Sequence, residues 1–297
     1  FGCAMRKIRV LHCLETVGSG GVEQRRLSLV KNLDCDYYEQ HLLCTQAIGG
    51  VPQLIINAGC SITEVGVHRH VFDLKSYANA LRVVKDFKPD VIHGAVFEGV
   101  SMASIAGRFG GVPIIIGEET SDPQNRSWKG SLLYRAIISL SHHMVAVSPA
   151  VERYLTNQIH YPASRVSMIP NGVAQKAKPD ELHVNQLRYK LGLTDADFVI
   201  GTVGRLLDHH KRVSDLLVCL SHVCKSVPNA KLLVVGAGPD EGMLRALVNE
   251  MKLNDKVIFV GYQADPQPYY SLMDIFALAS AYEAFGLVLV EAMFNQL

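Results

Sequence analysis

The sequence has little net charge, few aromatic residues and no long apolar run. Its 29 Lys and Arg residues nearly balance 28 Asp and Glu residues, which leaves a formal net charge of +1. No overall field therefore favours nucleic acid. A single Trp and an aromatic fraction of 7% argue against a stacking surface for single strands. The longest candidate for a membrane span, 134–151, is interrupted by His142 and His143 and falls short of the ~20 apolar residues that a span needs.

The cysteines do not form a recognisable framework. There are seven, an odd number, and no two have Cys-x-x-Cys spacing. This usage favours reduced thiols in a cytosolic compartment over disulfides or a zinc site. The sequence also lacks internal repeats, low-complexity tracts and other spacings typical of metal ligands.

What the sequence does contain is a regular alternation of apolar runs and helical patterns. With 297 residues and 48% hydrophobic content, the chain has the length of about two domains of ~150 residues. Apolar runs such as 8–14 and 114–116 predict buried strands, and the stretches 22–33 and 74–87 have helical periodicity. This rhythm predicts an α/β fold of parallel strands joined by right-handed crossovers.

A glycine-rich loop, Gly18-Ser19-Gly20-Gly21, lies between the first predicted strand and its helix. Strand, glycine loop and helix in this order let backbone NH groups approach a phosphate closely. The Gly-x-Gly-x-x-Gly spacing of a dinucleotide site is absent, which argues against a dinucleotide-dependent oxidoreductase. A tight turn and a phosphate loop are equally compatible with the loop by itself.

A second arrangement of this kind lies near the C-terminus. The run 274–279 predicts a buried strand, a short loop carries Glu283, and a helical pattern begins at about Phe285 with Glu291 about two turns into it. We expect the NH groups of Gly286 and Leu287 to be unpaired at the helix start and able to bind an anion.

Several phrases of the sequence together resemble a known family. The form Glu283-Ala-Phe-Gly-Leu…Glu291-Ala-Met is similar to the signature of retaining, nucleotide-sugar-dependent glycosyltransferases of family 4, which have the GT-B fold. The resemblance implies that Glu283 lies beside the donor sugar and that Glu291 holds the ribose of the nucleotide. It extends over nearly the whole chain through three further phrases, Gly20-Gly21-Val22-Glu23-Gln24-Arg25, Ile169-Pro170-Asn171-Gly172-Val173 and Gly204-Arg205…Lys211.

The implied architecture is two Rossmann-like domains that face a cleft. We expect an acceptor-side domain at 1–173, a linker at 174–194 and a nucleotide-sugar-binding domain at 195–297. Residues 1–4 read as upstream sequence before a natural start at Met5. A doubly wound domain should continue with further strands and helices, so we expect the second domain to be incomplete and the fragment itself to be inactive in that case.

Arg205 and Lys211 match the family's phosphate-binding cations, and Gly20 and Gly21 match its N-terminal loop near the donor. Independent chemistry supports the two cations, because a bidentate Arg and a point-charge Lys stabilise the negative charge of a leaving diphosphate. The alternative is that Lys211 and Arg212 form a solvated helix start.

The sequence departs from the family at Glu119. Many members carry a histidine near this position that contacts the transferred sugar, whereas this chain has the acids Glu118 and Glu119. Glu119 could accept hydrogen bonds from a sugar or act as a base towards an acceptor hydroxyl. The alternative is a loop carboxylate that caps Thr120 and Ser121.

The resemblance implies a retaining transfer of a sugar from a nucleotide-diphosphate-sugar to a hydroxyl acceptor, in cell-surface polysaccharide or lipid-linked glycan synthesis. The implied partners are the donor and a glycan or lipid-linked acceptor, with no nucleic acid and no metal. The implied location is the cytoplasm, with peripheral contact at the inner face of the membrane. A non-catalytic nucleotide-sugar binder and an epimerase-like enzyme of the same fold are the alternatives.

Overall fold

The computed structural model describes residues 6–18, 20–66, 73–121 and 126–297. Met5 and Ser19, which entered the predictions above, lie outside these ranges. The chain divides into two compact units, 1–172 (unit 1) and 173–297 (unit 2). Both units are built on a parallel sheet with helices between the strands, as the alternation of apolar runs predicts.

Unit 1 contains a seven-stranded parallel sheet with the order β5-β3-β1-β6-β7-β8-β9, and a two-stranded ladder of β2 and β4. The strands are β1 (Ile8–Cys13), β2 (Thr16–Val17), β3 (Tyr38–Cys44), β4 (Gln46–Ala47), β5 (Ser61–Glu64), β6 (Val91–Ala95), β7 (Ile114–Glu119), β8 (His143–Ala146) and β9 (Val166–Met168). The helices are α1 (Gly21–Asn32), α2 (Val51–Asn57), α3 (Leu74–Phe87), α4 (Val96–Gly110), α5 (Trp128–Ile138) and α6 (Pro149–Arg153), and a π turn (Tyr154–Gln158) and a 3-10 turn (Ala163–Arg165) follow.

The strand order of unit 1 changes direction at β1. This strand pairs in parallel with β3 on one side and with β6 on the other. In open α/β sheets, ligands bind outside the carboxyl ends of the strands at such a switch point. His12 is the last but one residue of β1 and pairs with His93 in the middle of β6, and Glu118 is the last but one residue of β7, so the fold places these three side chains on neighbouring strands near that edge.

Helix α4 passes very close to the strands at the same edge. A Cβ atom at Gly94 would lie 2.2 Å from the carbonyl oxygen of Gly99, and one at Gly99 would lie 2.4 Å from the carbonyl oxygen of Cys13. Only glycine permits this approach, because real Cβ atoms do not come so near to backbone oxygens.

Unit 2 contains a four-stranded parallel sheet with the order β12-β11-β10-β13. Its core joins the strands to the helices through buried leucines and valines such as Leu217, Val234 and Leu244. The strands are β10 (Phe198–Val203), β11 (Ala230–Val235), β12 (Val257–Gly261) and β13 (Ile275–Phe276). The helices are α7 (Glu181–Lys190), α8 (Asp208–Lys211), α9 (Val213–Val223), α10 (Glu241–Glu250), α11 (Gln267–Tyr270) and α12 (Leu287–Phe294).

Two parts of the sequence prediction for unit 2 need adjustment. The run 274–279 forms only the two-residue strand β13, and Ile275 is 46% exposed because β13 lies at the sheet edge with β10 as its neighbour. Helix α12 begins at Leu287, two residues after the predicted start at Phe285, and its Met293 is 70% exposed. The stretch 174–194, predicted as a linker with a short helix, contains α7, whose Val184 and Leu187 pack against the core of unit 2.

The described cysteines are all free thiols, in agreement with the prediction. Cys13, Cys44 and Cys60 are buried in unit 1, and burial raises the pKa of the Cys44 and Cys60 thiols to about 12. Cys35 and Cys219 are exposed.

No helix in the described part of the chain combines the length and apolarity that crossing a membrane requires. Within the same ranges, the residues with ligand atoms near enough to share a cation are Asp34, Cys35 and Asp36, which are exposed. Exposed acidic groups of this kind are common without an ion, so we assign no metal site to them.

Candidate functional site

The carboxyl ends of β10 and β13 carry the predicted donor residues of unit 2. Gly204 and Arg205 directly follow β10, and Lys211 closes the short helix α8. The Lys211 ammonium forms an ion pair with the Glu283 carboxylate, and both side chains are partly buried, with 18% and 24% exposure. A Cβ atom at Gly204 would lie 3.9 Å from Cε of Lys211. The fold therefore brings Gly204, Lys211 and Glu283 together at one edge of the sheet.

A second set of contacts joins helix α8 to the loop that carries Glu283. His210 Nε2 donates a hydrogen bond to the Tyr282 carbonyl oxygen at 2.9 Å, and the two rings stack with centroids 4.2 Å apart. The Ala281 NH donates to the His210 carbonyl oxygen at 2.8 Å. These contacts hold the loop that carries Glu283 against α8, the helix that carries Lys211.

The start of α12 lies next to Glu283. Gly286, the N-cap residue, has φ +75, in the left-handed region that favours glycine. The NH groups of Gly286 and Leu287 have no hydrogen-bond partner in the described ranges, as the sequence predicts. Free NH groups at a helix N-terminus, together with the helix dipole, favour an anion at this position.

Arg205 and Glu291 are placed differently from the ion pair. Arg205 is exposed, and its guanidinium has no partner among the residues that the structure describes. It lines a recess with Gly204, Lys211 and Leu278. Glu291 is the fifth residue of α12 and accepts a hydrogen bond from the Tyr270 hydroxyl at 2.9 Å. No described contact joins Glu291 to Lys211 or Glu283.

A larger recess of about 370 Å³ lies elsewhere in unit 2. Its lining includes Lys178, Glu181, Asn185, Tyr270 and Asn295, and it contains neither Arg205 nor Lys211. Arg205 and Lys211 line the small recess at the carboxyl edge of the sheet, and the start of α12 lies beside Glu283, the partner of Lys211.

In unit 1, a buried charged network lies at the switch point of the sheet. Arg26, on α1, is 2% exposed, and its Nη1 donates to Nδ1 of His12 and to Nδ1 of His93, each at 2.9 Å. Nη1 has two hydrogens, one for each imidazole. The Arg26 guanidinium also lies 3.6 Å from Glu118, and His93 Nε2 lies 3.1 Å from the same carboxylate.

Both histidines of this network are neutral. Burial, followed by the charge of Arg26, lowers the pKa of His12 to about 3. Burial and the same guanidinium hold the pKa of His93 well below its usual value. Since Nδ1 of each ring accepts from Arg26, the remaining proton is on Nε2, and His12 donates it to Gln40 at 3.2 Å.

Arg25 connects the network to the end of unit 1. Its guanidinium pairs with the buried Glu118 and donates to the Asn171 side chain, within the phrase Ile-Pro-Asn-Gly-Val. Burial lowers the pKa of Arg25 to about 10. The two phrases that resembled the glycosyltransferase family in unit 1 are therefore joined through one arginine.

In unit 1, the carboxylate of Glu23 lies close to Gly18 and Gly20 of the glycine loop. Gly20 is the N-cap of α1 and Gly21 is its first residue. A Cβ atom at Gly20 would lie 2.5 Å from the Glu23 carboxylate, so Glu23 packs closely against the N-cap of α1. Burial raises the pKa of Glu23.

Glu119 lies in a closed environment. Its side chain is 2% exposed, and Oε1 accepts hydrogen bonds from the Ser121 NH at 3.1 Å and from the Ser121 hydroxyl at 2.8 Å. Arg126 lies 3.9 Å from the other oxygen. The contact with a sugar that the resemblance implied for Glu119 stays a prediction.

Sequence reasoning missed the network around Arg26 and the bond from Tyr270 to Glu291. His12, Arg26 and His93 belong to none of the phrases on which the resemblance rests. The usable signal was positional: His12, His93 and Glu118 are polar residues within three largely apolar strands.

Comparison with known proteins identifies the family. Residues 20–172, about half of the chain, match the family model described as glycosyl transferase 4-like domain. The chain belongs to this glycosyltransferase family. Residues 184–297 of the glycosyltransferase match a second model, described as glycosyl transferases group 1. The resemblance predicted from the sequence is confirmed.

Individual relatives of this glycosyltransferase agree. EpsF of Bacillus subtilis (strain 168), a glycosyltransferase by name, is 23% identical over 96% of this chain and 76% of its own length. The alpha-monoglucosyldiacylglycerol synthase of Acholeplasma laidlawii is 31% identical over 43% of this chain, but only 33% of that enzyme is matched. The chain thus spans between a third and three quarters of these relatives.

The fold of the glycosyltransferase is also that of solved structures. Anabaena Alr3699/HepE, crystallised with UDP and glucose, superimposes with a TM-score of 0.83 at 20% identity, over 97% of this chain and 78% of HepE. This likeness establishes the GT-B fold that the sequence predicted.

Acid should destabilise unit 1 through His12. The pKa of His12 is about 3 in the folded protein and 6.5 in an unperturbed chain, so below pH 6.5 the unfolded chain takes up a proton that the folded one does not. The stabilisation is complete above pH 6.5 and is lost progressively towards pH 3. We expect a loss of about 2 kcal/mol at pH 5. Thermal melts from neutral pH down to pH 5 measure it.

His12→Asn is the test variant, because its amide oxygen can accept from Arg26 but does not titrate. Its melts should depend less on pH than those of the unmodified protein. His222→Asn, at an exposed position of α9, is the matched control and should leave the pH dependence of the melting temperature unchanged. An equally steep profile in His12→Asn would show that His12 does not carry the effect.

Proposed function

We propose that the protein is a retaining glycosyltransferase that moves a sugar from a nucleotide-diphosphate-sugar to a hydroxyl acceptor. The observation that carries this proposal is the meeting of Lys211 and Glu283 at the carboxyl edge of the unit 2 sheet, beside the recess that Arg205 lines and the free NH groups at the start of α12. Two cations, Arg205 and Lys211, and one acid, Glu283, lie at this edge of the sheet. Such a combination suits a ligand in which a diphosphate is attached to a sugar.

In this proposal the diphosphate is held by Arg205, Lys211 and the NH groups of Gly286 and Leu287. The glycosidic bond breaks with its electron pair moving to the diphosphate, so negative charge grows on the leaving group. Preorganised cations and NH groups stabilise that growth more than they stabilise the bound substrate. Arg205 is suited to this role because its exposed guanidinium has no competing partner in the described residues.

Glu283 has two states in this proposal. In the free protein it neutralises Lys211. A donor diphosphate competes for the ammonium and thereby releases the carboxylate to accept hydrogen bonds from the sugar hydroxyls. Glu291, on the next turns of α12, accepts hydrogen bonds from the ribose hydroxyls.

We propose a glycan or lipid-linked acceptor at a cytoplasmic membrane face. The name of the Acholeplasma relative includes diacylglycerol, which is consistent with an acceptor of this kind. On α5 of unit 1, Trp128 is 73% exposed and Leu132 is 61% exposed. The Lys129 ammonium lies over the Trp128 ring, 5.6 Å from its centroid. Exposed apolar side chains beside cations favour peripheral contact with an anionic lipid surface. No nucleic-acid partner is proposed.

We propose a reaction without a metal ion. Arg205 and Lys211 supply the two positive charges that a diphosphate requires, so the cationic role is filled by side chains. UDP is the first candidate for the nucleotide part of the donor, because HepE was crystallised with it.

A non-catalytic nucleotide-sugar binder is the second candidate, and one observation favours it. Glu119, near the position where the resemblance implies an active-site histidine, is buried and bonded to Ser121. Incubation of the protein with UDP-, GDP- and ADP-sugars, with and without acceptor lipids or glycans, separates the candidates. Transfer supports the enzyme, whereas binding without turnover supports the binder. Isomerisation of the donor would indicate an epimerase-like activity.

The binding of a nucleoside diphosphate should depend on Glu291. Glu291→Gln weakens hydrogen bonds to the ribose that a charged carboxylate makes, and we expect affinity to fall at least about tenfold. Calorimetric titration with UDP, GDP and ADP measures it. Glu250→Gln, an exposed glutamate on α10, is the control and should bind as the unmodified protein does. Equal affinity in both variants would refute the donor site.

A further inference from the structure

Tyr270 is a buried residue whose hydroxyl donates a hydrogen bond to Glu291. It closes α11, is 1% exposed and packs in the core of unit 2, with its ring 5.9 Å from that of Phe276. Its hydroxyl lies 2.9 Å from Oε2 of Glu291 and 3.4 Å from the Val288 carbonyl oxygen. A phenol has one proton, and the shorter, charge-assisted bond to the carboxylate is the stronger of the two.

The backbone of Glu291 is held from the same side. The Asn295 side-chain NH donates to the Glu291 carbonyl oxygen at 2.9 Å. Gln267 in turn donates to the Asn295 side-chain oxygen at 2.8 Å. Helix α11 therefore fixes both the backbone and the side chain of Glu291.

This arrangement leaves one carboxylate oxygen of Glu291 available. Oε2 is engaged by Tyr270, whereas Oε1 accepts no hydrogen bond from the described residues. A carboxylate oxygen has two lone pairs. It can therefore accept from both hydroxyls of a vicinal diol, such as the 2′- and 3′-hydroxyls of a ribose.

We propose that Tyr270 is a positioning residue that orients Glu291 towards the ribose diol and thereby makes the donor site selective for ribonucleotides. This inference rests on the proposed function, because it assigns the diol of the donor nucleotide to Glu291. Burial, followed by the nearby Glu291, raises the pKa of Tyr270, so the phenol remains a donor at any working pH. Tyr270 itself does not touch the nucleotide in this scheme.

The test compares Tyr270→Phe with Tyr269→Phe. The phenylalanine ring keeps the packing and removes only the hydroxyl, and Tyr269, on the same helix, has no described hydrogen bond through its own hydroxyl. UDP, GDP and ADP are titrated beside their 2′,3′-dideoxy forms. We expect Tyr270→Phe to bind the tightest ribonucleotide about tenfold more weakly and its dideoxy form unchanged, so that the ratio of the two affinities falls. Tyr269→Phe should keep the ratio.

The affinity ratio separates positioning from a general structural effect. If Tyr270→Phe weakens both forms equally, or leaves the ratio as it was, the inference is wrong. Thermal melts check that the variant is folded, and Glu291→Asp, which withdraws the carboxylate from both partners, gives a second reading of the same ratio. Should Glu291→Gln weaken UDP, GDP or ADP while Tyr270→Phe does not, only this inference fails. Should neither variant change any nucleotide, the proposed function fails as well.

Discussion

Lys211→Ala should lower the rate of sugar transfer by about 100- to 1,000-fold. Lys211 is a cation at the edge where the leaving diphosphate would gain charge, and its partner Glu283 has no other cation among its described contacts. The substitution removes the ammonium and leaves an unneutralised, partly buried acid beside the incoming phosphates. Both changes disfavour the transition state. Initial rates of nucleoside-diphosphate release, with donor and acceptor present, measure the effect.

Lys225→Ala is the matched control, since Lys225 is exposed in unit 2 and makes no described side-chain contact. It should transfer sugar at the unmodified rate. A Lys211→Ala variant that is folded and still within about threefold of the unmodified rate would remove Lys211 from the proposed machinery. Loss of transfer in both variants would point to an indirect effect of surface charge.

Glu118→Gln should destabilise the protein by about 3–5 kcal/mol, because it leaves the buried Arg26 guanidinium and the partly buried Arg25 guanidinium without their carboxylate. Glu118 is 2% exposed and is shared by Arg25, Arg26 and His93, which lie on two different elements of unit 1. For a unit of this size, the expected fall in melting temperature is about 10 °C. Calorimetric melts at neutral pH, where both histidines of the network are neutral, measure it.

Glu39→Gln provides the contrast, because it breaks the ion pair between Arg9 and Glu39, whose acid is 49% exposed. Exposed pairs contribute less than about 1 kcal/mol. A Glu118→Gln variant that melts as closely to the unmodified protein as Glu39→Gln does would show that the buried network is dispensable for stability.

The sheets could be predicted because buried parallel strands leave a continuous apolar run in the sequence. Leu11 in β1 and Leu233 in β11 stand in such runs, and both are fully buried. The start of α4 could not be predicted. Its N-cap residue is Ala95, which offers no capping side chain, and Val96 has φ +65, a conformation rare for a β-branched residue. The sequence therefore contains no start signal there.

Part of the candidate site could also be predicted, because several of its residues are close together in the sequence. Glu283, Gly286 and Glu291 follow one another within one loop and helix, so local spacing was sufficient to group them. The pairing of Lys211 with Glu283 and of Tyr270 with Glu291 depends on how β10, α11 and α12 meet in space. Pairings across such distances in the chain leave no trace in spacing or composition.

The placement of the buried thiols gives unit 1 a chemical reporter of its own. Cys13, Cys44 and Cys60 lie in its core, whereas unit 2 contains only the exposed Cys219 and the half-buried Cys224. An alkylating reagent can modify the three core thiols only when unit 1 opens, since thiolates react and these groups are both shielded and held as thiols. Labelling at those positions therefore follows transient opening of unit 1 separately from any motion of unit 2.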